Sequence, residues 1–185
     1  MMVRLFIALL LPNEIKKALE DLIIDLKPRV KGVRWVGADN IHLTLKFIGE
    51  TSEEKIGPIS QVLEKAAAGR KPLTVALDRM GGFPNLKNPR VIWVGLSGVE
   101  PAAEMAGLLN RQLKPLGFEP EKRPFSAHLT LGRIKFPIDA SPLAAYAEQL
   151  NFATEPVILD RIALVKSTLT PGGPIYEKLE QKILK

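Results

Sequence analysis

Cysteine is absent from this chain of 185 residues, and histidine occurs only twice. The absence of cysteine excludes disulfide bonds, thiolate zinc sites and a cysteine nucleophile, and it fits a reducing compartment. Long apolar runs are lacking too, because the run over residues 5–11 is too short to cross a bilayer and is followed by Pro12. We therefore expect a cytoplasmic protein, with no membrane segment, in which the two histidines are the first candidates for chemistry.

The composition is that of a globular protein with a substantial core. Hydrophobic residues make up 46% and charged residues 25% of the chain. Lys and Arg total 26 against 20 Asp and Glu, which gives a formal charge of +6. This modest basic excess favours a polyanionic partner, but without a long Lys/Arg block it is equally consistent with a role in solubility.

Periodicity and turn residues predict alternating strands and helices. Apolar runs predict strands at residues 3–11, 33–36, 41–48, 73–77, 91–96, 126–134, 157–168 and 175–183. Helical spacing predicts helices between Pro12 and Pro28, then over residues 51–68, 102–113 and 142–150. Thr51 is predicted to cap the second helix, with Glu54 reaching back to it, and residues 81–89 are predicted to form a loop.

The order of these elements repeats along the chain. An apolar strand, a helix, a turn-rich stretch and a strand with a histidine occur twice, in repeats over roughly residues 1–80 and 88–170. We interpret the chain as one domain, residues 1–185, built by internal duplication with the two lobes interleaved. Two such units predict an α+β protein whose sheets face each other or join, with the helices outside.

Both histidines lie in the same tetrapeptide. The two copies are His42-Leu43-Thr44-Leu45 and His128-Leu129-Thr130-Leu131. In a strand the His and Thr of each copy share one face and the two leucines the other, because side chains alternate. The leucines would enter the core, and the duplication would bring the two His/Thr faces together.

Such a shared face suits a phosphodiester. One imidazole can activate water while the other protonates the departing oxygen, and two threonine hydroxyls can donate to phosphate oxygens. A single copy would be ordinary strand sequence, but two copies that hold the only histidines favour a functional site. A metal site is the alternative for paired histidines, but zinc and non-haem iron need further His, Cys or carboxylate ligands, and threonine is a poor one.

These residues resemble a known family. The duplicated H-x-T-x motifs are similar to those of the two-histidine phosphoesterase superfamily, and most closely to RNA 2′,3′-cyclic phosphodiesterases, historically called 2′-5′ RNA ligases. The resemblance covers most of the chain, including residues 4–10, 34–36, 42–50, 83–84, 89–94, 127–133 and 173–176. It implies a bilobal, pseudo-symmetric fold with two antiparallel sheets facing a central cleft, and hydrolysis of 2′,3′-cyclic phosphate to 2′-phosphomonoester without ATP, metal or other cofactor.

The same resemblance implies roles for the motif residues. His42 corresponds to the proton donor to the leaving 3′ oxygen, His128 to the proton acceptor from water, and Thr44 and Thr130 to ligands of phosphate oxygens. The residues alone leave the two histidines interchangeable. Implied substrates are RNA ends or nucleotides with a 2′,3′-cyclic phosphate, acted on by a monomer. The alternatives are a 2′-5′ ligase of tRNA halves and a non-catalytic nucleotide- or RNA-binding module.

Five further residues are secondary candidates for substrate contact. Lys46 shares the His42 face by strand parity and is a candidate phosphate ligand. Arg133 is a candidate phosphate clamp, but strict alternation places it on the leucine face unless Gly132 marks a bulge. Phe83, Arg90 and Tyr176 lie near Gly/Pro-rich turns and are candidates for contact with a base or the RNA backbone.

Overall fold

The computed structural model of the chain describes residues 1–150 and 155–185. In these two ranges the α-helices are α1 (Asn13–Leu26), α2 (Ile56–Ala67), α3 (Glu100–Leu113) and α4 (Ser141–Gln149). The strands of the same ranges are β1 (Met2–Leu9), β2 (Val33–Trp35), β3 (Leu43–Ser52), β4 (Leu73–Phe83), β5 (Val91–Ser97), β6 (His128–Ile134), β7 (Val157–Leu159), β8 (Arg161–Thr170) and β9 (Gly173–Ile183). No helix of the described ranges is long and apolar enough to cross a membrane.

The described strands form two antiparallel sheets. The four-stranded sheet has the order β3-β1-β8-β9, and the five-stranded sheet has the order β2-β6-β5-β4-β7. In each sheet a strand with a histidine motif pairs with an earlier strand of the same sheet. β3 pairs with β1, with α1 and β2 between them in the chain, and β6 pairs with β5, with α3 between them. The predicted α+β fold with duplicated antiparallel units is confirmed.

Each sheet is completed by strands from the other part of the chain. β8, late in the sequence, pairs with β1, and β4, early in the sequence, pairs with β5. The two sheets therefore exchange strands, and their outer faces contribute to one continuous apolar core with the helices. Burial of each large aliphatic side chain in such a core contributes about 1.5–3 kcal/mol.

Alternation along β1 separates the core from the cleft. Leu5, Ile7 and Leu9 lie in the large core, whereas Phe6 and Ala8 belong to a smaller cluster on the opposite face. Because successive side chains of a strand point to opposite faces, this second face is the one that β1 turns towards the cleft.

Two local predictions about turns are wrong. Ser52, and not Thr51, caps the turn before α2, since its Oγ accepts a hydrogen bond from the Glu54 N–H at 3.4 Å and Thr51 remains in β3. Gly81 belongs to β4 and not to a loop. A Cβ at this position would lie 2.2 Å from the Trp93 ring, so the glycine leaves the space into which that ring packs.

Candidate active site

The first histidine-motif strand contains a β-bulge directly after its threonine. In the register of β1 and β3, Ala8 pairs with Thr44, but the preceding Ile7 pairs with Lys46. Leu45 is therefore an extra residue without a cross-strand partner. A bulge of this kind reverses the alternation of side chains, here as far as the second register shift of β3, at Ile48.

The second histidine-motif strand contains the same bulge. Trp93 of β5 pairs with Thr130, and the preceding Ile92 pairs with Gly132, so Leu131 is the extra residue. The two bulges occupy equivalent positions. They place Phe47 of β3 and Arg133 of β6, each three residues after the motif threonine, on the side of the strand that faces the cleft.

A matched hydrogen bond orients each imidazole. His42 Nδ1 lies 2.8 Å from the Asn40 carbonyl oxygen, and His128 Nδ1 lies 2.8 Å from the Ser126 carbonyl oxygen. Because a carbonyl oxygen only accepts, Nδ1 must carry the proton in both rings. Nε2, on the opposite side of each ring, is then the atom left to accept or donate a proton in the cleft.

Aromatic rings enclose His42. Its imidazole stacks on Phe6, with centroids 4.5 Å apart and planes at 22°, and the Tyr176 ring meets it edge-on at 5.3 Å. The pKa of His42 is lowered to about 4, chiefly by burial and to a smaller extent by the positive charges of Arg133 and His128, while the backbone hydrogen bond to Asn40 opposes the shift. His42 is therefore neutral at pH 7 in the free protein.

His128 has a related but more open environment. Phe83 meets its ring edge-on at 5.0 Å, and Trp93 lies at 6.5 Å. Burial is again the largest cause of a lowered pKa, opposed by the backbone hydrogen bond and reinforced by the charge of Arg133. The charge of Arg133 thus acts electrostatically on both histidines.

Thr44, Thr130 and Arg133 supply donors to the same space. Both threonines are half-buried and Arg133 is exposed. None of the three side chains hydrogen-bonds or ion-pairs with another residue in the described part of the chain. Two hydroxyls and a guanidinium are a donor set for phosphate oxygens. The Leu131 bulge next to Gly132 is the irregularity that the predicted role of Arg133 requires.

Lys46 does not lie in the cleft, contrary to the expectation from strand parity. The Leu45 bulge turns its side chain to the opposite face, where it is 3% exposed. Its Nζ donates to the Glu119 carbonyl oxygen at 2.7 Å and lies 3.6 Å from the Glu121 carboxylate. We therefore leave Lys46 out of the candidate phosphate site.

Two other secondary candidates lie at the site and one supports a loop. Tyr176 and Phe83 contact His42 and His128 respectively. Arg90 instead donates from Nη1 to the Lys135 carbonyl oxygen at 2.8 Å, which ties the loop after β4 to the end of β6.

Several residues of the site escaped the sequence reasoning. Asn40 Nδ2 donates to the Pro174 carbonyl oxygen at 3.4 Å, and Arg34 Nη2 donates to the Pro171 carbonyl oxygen at 3.3 Å. These bonds anchor the β8–β9 turn beside the motif and so hold Tyr176 near His42. One signal for Asn40 was present in the sequence, which is its position two residues before His42.

A hollow opens beside His42 on the cleft face of the four-stranded sheet. It has a volume of about 720 Å³, Phe6, His42 and Tyr176 are among its walls, and its charged lining includes both acidic and basic side chains, such as Asp160 and Arg161. Ligand pockets commonly measure about 300–1,000 Å³, so the volume of this hollow is within the range of small-molecule sites. Among the described residues, no group of three or more His, Cys, Asp or Glu side chains is placed to hold a metal ion.

The duplicated sheets and the paired histidines are those of a two-histidine phosphoesterase. The LigT-like phosphoesterase family model matches residues 9–93 and 96–176, one segment for each motif. The chain belongs to this family.

Relatives in both bacteria and archaea share nearly the whole chain. The RNA 2′,3′-cyclic phosphodiesterase of Thermotoga maritima is 35% identical over 176 residues, which covers 95% of this chain and 92% of the relative. That of Methanothermobacter thermautotrophicus is 33% identical over 181 residues, with 97% and 98% covered. Among solved structures, E. coli LigT complexed with 3′-AMP has a TM-score of 0.77 at 29% identity, with 100% of this chain and 99% of that one covered.

Proposed function

We propose that this phosphoesterase hydrolyses 2′,3′-cyclic phosphates at RNA ends, or on nucleotides, to 2′-phosphomonoesters. The relatives that carry this name match it over nearly their full length. The observation that carries the proposal is the pair of equivalent imidazoles, each with Nδ1 held by a backbone carbonyl and Nε2 left for the cleft.

In the proposed reaction, His128 Nε2 accepts a proton from water as the water oxygen attacks phosphorus. The bond from phosphorus to the 3′ oxygen breaks, and His42 Nε2 donates the proton that this oxygen takes up. Thr44, Thr130 and Arg133 bind the non-bridging oxygens, whose charge grows in the transition state. The product keeps the phosphate on the 2′ oxygen, and the two histidines end with exchanged protonation states.

The charge of the substrate is part of this mechanism. His42 must be protonated to act as donor, yet its pKa of about 4 in the free protein leaves it neutral at pH 7. A phosphate anion between the two imidazoles favours the charged form of both and raises their pKa values. We propose that substrate binding supplies the proton donor by this shift.

Turnover of a mononucleoside 2′,3′-cyclic phosphate in EDTA tests the proposal, with the product isomer identified by NMR or chromatography. Accumulation of the 2′-phosphate is expected. A 3′-phosphate would show that the other oxygen leaves, and a requirement for added metal would contradict direct catalysis by the histidines. Binding of the nucleotide without any turnover would favour the alternative of a non-catalytic binding module.

Ligation is the second proposed activity, because a 5′-hydroxyl can attack the cyclic phosphate in place of water. The bond from phosphorus to the 3′ oxygen then breaks, and a 2′-5′ phosphodiester forms. Cleaved tRNA halves are the substrate class to test, with a 2′-5′ junction as the expected product. A monomeric, cytoplasmic enzyme also remains a proposal. Gel filtration tests the first property, and fractionation of cells tests the second.

A further inference from the structure

A strip of side chains leads away from His42 along the cleft face of the four-stranded sheet. Phe6 stacks on His42, and Phe47, its cross-strand partner in β3, lies 6.3 Å from Phe6 between ring centroids. Arg4 precedes Phe6 by two residues on β1 and so shares its face. The strip therefore runs from His42 through Phe6 and Phe47 to Arg4.

The outer part of the strip is open to solvent. Phe47 is 54% exposed, which is unusual for a phenylalanine beside a buried aromatic cluster. Arg4 is exposed and has no ion pair within the described residues, although Glu50 is its cross-strand neighbour. Burial raises the pKa of Tyr176 and the charges of Arg133 and Arg4 oppose this shift, so the Arg4 guanidinium is close to the cleft.

A groove borders Phe47. Its volume is about 720 Å³, and its walls include Phe47, Glu50, Glu119, Lys122 and Arg123. Acidic and basic side chains are nearly equal in number there, so the net charge of the groove does not indicate whether its ligand is an anion or a cation. An exposed aromatic face next to an exposed cation is the arrangement that binds single-stranded nucleic acid, where a base stacks and a phosphate meets the cation.

We propose that this strip is a subsite for the nucleotide on the 5′ side of the cyclic-phosphate end. Its base stacks on Phe47, and the phosphodiester that joins it to the terminal nucleotide meets Arg4. The inference rests on the proposed function, since the cyclic phosphate must lie between the histidines for the next nucleotide to reach the strip. It makes RNA ends, and not free mononucleotides, the preferred substrates.

The test compares a dinucleotide that ends in a 2′,3′-cyclic phosphate with the corresponding mononucleoside 2′,3′-cyclic phosphate. Wild type is expected to have the higher kcat/KM for the dinucleotide. Phe47→Leu and Arg4→Gln are each expected to lower that value about tenfold, because the first removes the ring on which the base stacks and the second removes the cation that meets the phosphodiester. Activity on the mononucleotide is expected to change less than about twofold, and Phe47→Tyr to retain the preference.

Matched controls lie on the outer helices. Ile24→Ala removes another exposed apolar side chain, and Arg111→Gln removes another exposed guanidinium. Both are expected to retain the dinucleotide preference. Equal kcat/KM values of wild type for the two substrates, or equal losses on both substrates in Phe47→Leu, would overturn the subsite.

A binding measurement separates this inference from the proposed function. Calorimetry compares the affinities for a 2′-phosphorylated dinucleotide and a nucleoside 2′-monophosphate, for which no turnover is needed. Tighter binding of the dinucleotide that is lost in Phe47→Leu supports the subsite even where wild type shows no hydrolysis. Equal affinity for the two ligands in wild type overturns the subsite whether or not hydrolysis occurs.

Discussion

The two half-sites share their backbone and differ in the side chains that the backbone presents. Both motif strands have a bulge at the leucine after the threonine, and both imidazoles bond a carbonyl two residues earlier. Three residues after the motif threonine, the next side chain that faces the cleft is Phe47 in one half and Arg133 in the other. Duplication thus supplies the pair of histidines, while divergence gives one half the proposed stacking surface and the other the proposed phosphate-binding charge.

A second difference lies beneath the histidines. Ala8 of the four-stranded sheet is equivalent in register to Trp93 of the five-stranded sheet, since each is the partner of a motif threonine. Trp93 fills space near His128, whereas the side with Ala8 has the hollow beside His42. We therefore propose that the nucleoside lies on the His42 side. This agrees with the proposed role of His42, because the leaving oxygen belongs to the nucleoside.

Among the substitutions that test this comparison, removal of either imidazole is expected to lower kcat/KM the most. His42→Ala and His128→Ala are each expected to lower kcat/KM on a mononucleoside 2′,3′-cyclic phosphate by about 10²–10⁴-fold, the usual contribution of general acid–base catalysis. Steady-state kinetics in EDTA measures the loss, and thermal unfolding checks the fold of each variant. Near-wild-type activity in either variant would contradict the two-histidine mechanism.

Arg133→Gln tests the asymmetry after the bulge. The loss of a charge-assisted contact to phosphate is expected to weaken transition-state binding by about 1.5–3 kcal/mol, or about 10- to 100-fold in kcat/KM. Arg90→Gln is the control, because its guanidinium holds the Lys135 carbonyl outside the cleft, and it is expected to stay within about threefold of wild type. Similar losses in the two variants would mean that Arg133 acts through general electrostatics and not through phosphate contact.

The dependence of stability on pH separates the two histidines. The unfolded chain protonates His42 near its usual pKa of 6.5, whereas the folded protein does so only near 4. Between these values the unfolded state binds more protons, so the free energy of unfolding falls as pH decreases from about 6.5 to about 4. This single group accounts for a loss of up to about 3 kcal/mol.

Urea unfolding at pH 7 and pH 4.5 measures that loss. His42→Ala is expected to show a smaller difference between the two pH values than wild type. His128→Ala is expected to reduce the difference less, because its ring is less enclosed. If His42→Ala retained the full wild-type difference, the lowered pKa of His42 would be contradicted.

The alternation of residues in the motif was sufficient to predict the two strands. It also predicted which side chains share a face of the strand, as far as the bulge. His42 and Thr44 share the cleft face as the alternation predicts, because both precede the extra residue. Beyond it the parity argument fails for Lys46. The extra residue exists only in the register of β3 against β1, and a single strand sequence contains no trace of that pairing.

Contacts between distant segments set the other limit of the sequence reasoning. Phe6 reads as part of a buried strand, and only the folded sheet places it against His42. The position of Tyr176 beside His42 depends on the β8–β9 turn. Asn40 and Arg34 hold this turn in place by hydrogen bonds to its carbonyl oxygens. Neither contact follows from periodicity, because each joins residues that are far apart in the chain.

Lys46→Met is expected to have the smallest effect, and it tests the bulge directly. Methionine keeps the apolar stem and removes a charge that is 3% exposed, and the partner Glu121 is 47% exposed and stays hydrated. The main cost is the lost hydrogen bond to the Glu119 carbonyl oxygen, about 1–3 kcal/mol, so we expect Tm to fall by several degrees and kcat/KM to change by less than about twofold. A tenfold rise in KM on the mononucleotide would instead place the ammonium at the phosphate. The alternation of β3 would then continue unbroken past Thr44, and the two half-sites would no longer share the bulge on which their comparison depends.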